Sequence, residues 1–117
     1  MDLDHAIGNH AEWKIRFRSA ISKQEKMDVA IISTDNGCEL GKWLHGEARA
    51  KFGQLASHAE CVQKHAAFHA EAGKVASAIN AKKYAQAESM IGSGTDYDDA
   101  SRFVGMAILR LKKDARL

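Results

Sequence analysis

The chain has no proline, only two cysteines and no long apolar run among its 117 residues. Without proline, nothing interrupts a helical pattern by removing a backbone donor. Cys38 and Cys61 stand in different sequence settings, and in a reducing compartment each is expected to be a free thiol or a ligand in preference to a structural disulfide. No stretch approaches the ~20 apolar residues that a membrane span needs. Asp2, Asp4 and His5 stand where a secretion signal would be basic and then apolar, so a cytoplasmic protein is expected. Charge is nearly balanced, at +2 with the histidines neutral. Lys and Arg alternate with Asp and Glu and form no stripe for phosphate backbones, which speaks against nucleic acid as a partner. The densest basic run, Arg110-Leu111-Lys112-Lys113, reads as cations at a helix C-terminus. There is no internal repeat, low-complexity tract or shift in composition, and residues 1–117 are expected to form a single domain.

What the chain does have is apolar residues recurring at three and four, with 45% hydrophobic and 27% charged residues, the mixture of a folded helical protein. A first helix is expected from about Leu3 to Lys26, with Leu3, Ile7, His10, Trp13, Phe17 and Ile21 on one face and Asp2 or Asp4 as its cap. Met27 to Gly37 reads as a connection closed by the Ser33-Thr34-Asp35-Asn36-Gly37 turn signals. Cys38 then opens a short helix to about His45, stopped by Gly46. The longest pattern runs from Glu47 or Phe52 to Asn80. A helix from Lys82 to Ile91 ends at Gly92-Ser93-Gly94, and a last one begins at Thr95 or Asp96. Helical pieces joined by short connections predict an all-α antiparallel bundle.

The most informative residues are His65 and His69, which a helix places one turn apart on one face, as half of a metal site. His10, inside the first apolar stripe, and Cys38, after the Asn36-Gly37 turn, can complete a set of three nitrogens and one sulfur. That set is within the ordinary repertoire of tetrahedral zinc. His58, Cys61, His65 and His69 share one helical face, but eleven residues cover about 16 Å of axis, so they cannot all reach one ion. Either Cys61 with His65 or His65 with His69 can chelate, and spacing alone leaves both open.

Three clusters, His10-Ala11-Glu12-Trp13, Cys38-Glu39-Leu40-Gly41-Lys42-Trp43 and His65-Ala66-Ala67-Phe68-His69, resemble in order and spacing the motifs of the chemoreceptor zinc-binding family. The resemblance runs from about His5 to Lys112. It implies a four-helix-bundle core with an additional short helix, and one zinc ion held between helices by His10, Cys38, His65 and His69, with Trp13 and Trp43 packed nearby. It thereby favours the His65–His69 pair. Cys61 is then expected to pack as a small apolar side chain, His5 and His45 to be solvated or helix-end residues, and His58 to stand behind the ligands.

Four protein ligands leave no open position for water, and no nucleophile triad, phosphate-cradling loop or paired carboxylates appear, so an enzyme is not expected. The resemblance implies a sensory domain whose zinc occupancy, or Cys38 oxidation, adjusts a signalling partner: a chemotaxis receptor or a cyclase that makes cyclic di-GMP. It also implies a homodimer. Two other readings are a helical interaction module with purely structural zinc and a di-iron bundle. The di-iron site would need inward Glu-x-x-His pairs, and Glu12, Glu39 and Glu71 do not repeat that spacing.

Overall fold

In the computed structural model, which describes residues 1–117, the chain enters its first helix through Asp2. The Asp2 carboxylate accepts the His5 N–H at 3.0 Å and so satisfies one of the free donors of α1 (Leu3–Ala11). The expected single first helix is divided at Glu12, where α2 (Trp13–Lys23) begins. Helical hydrogen bonds persist on both sides of the division, from Glu12 N to Gly8 O at 3.0 Å and from Arg16 N to Glu12 O at 3.1 Å. Together α1 and α2 form one jointed rod. It stops at Lys23, short of the expected Lys26, because Gln24 turns left-handed (φ 55°) and Glu25 N returns to Ala20 O at 3.0 Å, closing the last carbonyls.

Met27 to Gly37 is more ordered than the expected connection. The Asp28 carboxylate caps Ile31 N at 3.2 Å and starts one helical turn, α3 (Val29–Ile32), and a 3-10 turn follows over Asp35–Gly37. Cys38 caps α4 (Glu39–His45), which ends at Gly46 as the sequence indicates. The long pattern expected from Glu47 or Phe52 is split by a turn at Gly53 to Leu55 into α5 (Glu47–Phe52) and α6 (Ala56–Asn80). α7 (Tyr84–Met90) starts two residues late because Lys82 is left-handed (φ 64°) and Lys83 N closes α6 on Ala78 O at 2.9 Å. α8 (Asp96–Asp114) is capped by Thr95 Oγ1, which accepts from Asp98 N at 3.2 Å. Its acids lie in the first turn and Lys112 and Lys113 in the last, which suits the helix dipole at both ends.

Three rods make the bundle. α8 runs antiparallel to α6, with Arg110 paired to Glu60 at one end and Tyr97 against Phe68 at the other, ring centroids 5.7 Å apart. It is likewise antiparallel to α1–α2: Lys112 meets Asp4 at 2.8 Å while Tyr97 meets Phe17 at 5.7 Å. Asn80 pins the far end, donating to Met27 O at 2.7 Å and accepting from Met27 N at 2.8 Å. The fourth side is assembled from α3, the 3-10 turn and α4 laid against α6. Apolar side chains from the helices form one contiguous buried cluster, including Phe17, Leu44, Phe68, Val75, Ile79, Val104, Ile108 and Leu111. No helix is long and apolar enough to cross a membrane.

Two glycines let the fourth side come close. A Cβ on Gly73 of α6 would lie 2.6 Å from the Ser33 Cβ, and one on Gly41 of α4 would lie 1.6 Å from the Asp35 carbonyl oxygen. The 3-10 turn therefore rests directly on the first turn of α4. Gly41→Ala must push that turn away and should destabilise the protein by about 2–3 kcal/mol, the upper part of the range for overpacking. Urea unfolding of the variant checks it, and an unchanged midpoint would contradict the close approach.

Candidate metal centre

Each of the four donors is delivered by a different local device. His10 sits on the buried stripe of α1 with Leu3 and Ala6, and its Nδ1 donates to Ala6 O at 2.8 Å. His69, on α6, donates from Nδ1 to Ile32 O at 2.8 Å. That acceptor is the last carbonyl of α3, one of those a helix end leaves without an internal partner. With a proton on Nδ1, both rings present a bare Nε2 lone pair inward. His65, one turn before His69, is fully buried and its Nδ1 has no partner. Cys38 is the N-cap of α4, its sulfur accepting from Gly41 N at 3.4 Å, where a thiolate gains from the helix N-terminus.

The donor atoms of these residues all lie within 4.8 Å of one another. His65 Nε2 is 3.1 Å from His10 Nε2, 3.1 Å from His69 Nε2 and 3.2 Å from Cys38 Sγ, and Cys38 Sγ is 3.6 Å from His69 Nε2. Tetrahedral bonds of about 2.0–2.1 Å to nitrogen and about 2.3 Å to sulfur put donors about 3.3 Å apart for two nitrogens and about 3.6 Å for nitrogen and sulfur. These four edges lie close to those of such a tetrahedron, and the whole set of donors stays within 4.8 Å. His10 and His69 have spent their ring protons on backbone carbonyls, so within the cluster only His65 Nε2 and the Cys38 thiol have a proton to donate. With those two protons displaced, a cation at the centre would be held by all four lone pairs at once. The residues present therefore fit a single four-coordinate metal ion, and the set contains no carboxylate.

Burial keeps the imidazoles ready to ligate. It holds His65 at about 3 against an ordinary 6.5, with the neighbouring His69 and His10 adding to the effect. Burial also lowers His10 and His69, partly opposed by their backbone hydrogen bonds. The same burial pushes the Cys38 thiol up, against the pull of the Gly41 and Leu40 N–H groups. A metal must therefore displace the thiol proton.

Phe68 backs the site, its ring 5.2 Å from His10 and 5.5 Å from His69. Trp13 lines a cavity next to His10 and Cys38, whereas Trp43 packs on Phe52 at 6.5 Å. His58 ties α6 to α4 by donating to Leu44 O at 2.9 Å. Cys61 is sealed in the core, where burial and then Glu60 push its thiol up to about 12. His5 is exposed. His45 does more than end a helix, since its Nε2 meets Asp35 Oδ2 at 2.7 Å and clasps the 3-10 turn to the end of α4 around Cys38. Partial burial pushes the Asp35 carboxyl up, but the His45 hydrogen bond and charge outweigh it and leave it lowered. This clasp was missed from the sequence, where a ten-residue separation across two turns carries no periodic signal.

The model of the chemoreceptor zinc-binding domain family matches residues 10–76, which is more than half of the chain and includes all four donors. The chain belongs to the chemoreceptor zinc-binding domain family. The match begins at His10 and ends within α6, short of the stretch to Lys112 over which the sequence resembles the family. Zinc is the metal of this family, which is a sensory and not a catalytic one, and His10, Cys38, His65 and His69 are positioned to bind one ion. No curated protein and no solved structure matches the chain in the corresponding searches.

The metal-free chemoreceptor zinc-binding domain should lose stability as pH falls. Unfolded imidazoles take up protons near 6.5, whereas folded His65 does so only near 3. Between those values the unfolded state binds more protons, and stability falls with falling pH. Urea midpoints of chelator-treated protein should drop between pH 7.5 and pH 5, and a flat profile would contradict the buried neutral rings.

Proposed function

We propose that the chain is a single zinc-binding sensory domain, ligated through His10, Cys38, His65 and His69, that couples zinc occupancy to a signalling partner. The observation that carries this reading is the convergence of four donors from three separate parts of a chain in this family. Bound there, zinc supplies a cross-link and a positive charge, with no open coordination position to activate water. Within the chain, α1 and α6 are rods with large buried faces, while the Cys38 segment is short and held by caps, the Asp35–His45 clasp and contacts on α6. Loss of the cross-link therefore loosens Val29 to His45 first, and that segment is the element whose order reports occupancy. The partner is a chemotaxis receptor or a cyclase making cyclic di-GMP, the domain works as a homodimer in the cytoplasm, and it has no enzymatic activity of its own. Oxidation of Cys38 removes the sulfur donor and provides a second input.

Protein purified without added metal should carry about one equivalent of zinc. Alanine at position 10, 38, 65 or 69 should weaken affinity by more than the about 10–100-fold that loss of a supporting outer group costs. Cobalt(II) in place of zinc should show thiolate charge-transfer absorption in the wild type and not in Cys38→Ala. If all four variants keep their zinc, the ligand assignment is wrong.

Hydrogen exchange separates sensing from a merely structural role. On chelation, protection should fall in Val29 to His45 while α6 stays protected, and output of a fused or bound partner should change with it. Unchanged partner output on zinc loss would leave zinc as a stabiliser only. Oxidant that leaves zinc bound would remove Cys38 oxidation as an input.

A further inference from the structure

A cavity of about 370 Å³ opens between α1 and the first turn of α4, and two of the four donor residues, His10 and Cys38, form part of its wall. His65 and His69 are not among its lining residues, and both are buried. The other sizeable cavities touch none of the four. The metal centre is thus closed by α6 and Phe68 behind and approached by solvent across the His10–Cys38 edge. At about 30 Å³ per water, the cavity accommodates a hydrated divalent cation or a small chelator. Its outer rim carries the exposed His5 and Asn9 of α1, one turn apart, while Trp13 and Glu39 supply further wall.

We propose that this cavity is the exchange port of the centre, a docking space for hydrated zinc and for small chelating molecules, through which metal is loaded and withdrawn without unfolding of the bundle. The inference rests on the zinc reading above and adds a route to it. A route differs from a ligand in what it governs: narrowing it slows passage in both directions by the same factor and leaves the equilibrium untouched.

Stopped-flow transfer of zinc to pyridylazoresorcinol, with uptake measured in reverse, tests this on the full chain. The double variant His5→Trp/Asn9→Trp adds two indoles at the rim, on exposed positions of α1 that no metal contact uses. Both rates should fall together by about tenfold or more, with the dissociation constant unchanged, since k_on alone spans decades with access. Ile15→Trp, an exposed position on α2 outside this cavity, serves as control and should leave both rates as they are. Unchanged rates in the double variant overturn the port, as does equal slowing in the control or a change in affinity that accounts for the slower uptake. A wild-type protein that holds no zinc defeats the functional reading instead, so the two failures are distinguishable.

Discussion

The aiming of buried imidazole lone pairs at one small volume is the constraint on which this molecule turns. His10 and His69 each commit one ring nitrogen to a backbone carbonyl, and in doing so each aims a bare nitrogen at the same small volume. Burial disfavours protonation of these rings, so their inward lone pairs stay available to a metal. A positive centre among them would tie the three nitrogens and the sulfur together. Phe68, itself packed on Tyr97, closes the inner side of the site, while its His10–Cys38 edge faces a cavity.

The architecture divides labour accordingly. The rods α1–α2, α6 and α8 bury the greater part of the core and carry the nitrogens; the short segments of the fourth side carry the sulfur and the acceptor for His69. A rigid frame thus meets a part held by few contacts, and the metal lies on the boundary between them. Such a boundary suits a sensory module, since low local stability is what allows a segment to respond while the rest stays folded.

Much of this was legible in the sequence, for identifiable reasons. Helical periodicity is a local property, so most helical stretches, the choice between Asp2 and Asp4 and between Thr95 and Asp96 at two helix starts, the Gly46 stop and the one-turn pairing of His65 with His69 could be read directly, and the structure puts the caps at Asp2 and Thr95. The joining of His10 and Cys38 to that pair is tertiary and came from motif resemblance, since no spacing rule links residues so far apart. The stop at Gln24 and the late start of α7 beyond Lys82 escaped notice because ordinary residues, not glycine, take the left-handed conformation there. The α3 turn was hidden by its brevity. Its carbonyl role toward His69, the Asp35–His45 clasp and the unpartnered His65 Nδ1 exist only once the segments meet.

The contact between Gly73 and Ser33 carries a further consequence. Residue 73 lies one turn after His69, and Ser33 follows Ile32, whose carbonyl holds the His69 ring. The width of that crossing therefore sets how firmly the ring is aimed. A single methyl group grown at residue 73 would act as a wedge on the hinge side of the door, detuning the centre's grip on an ion while every donor atom stayed chemically intact.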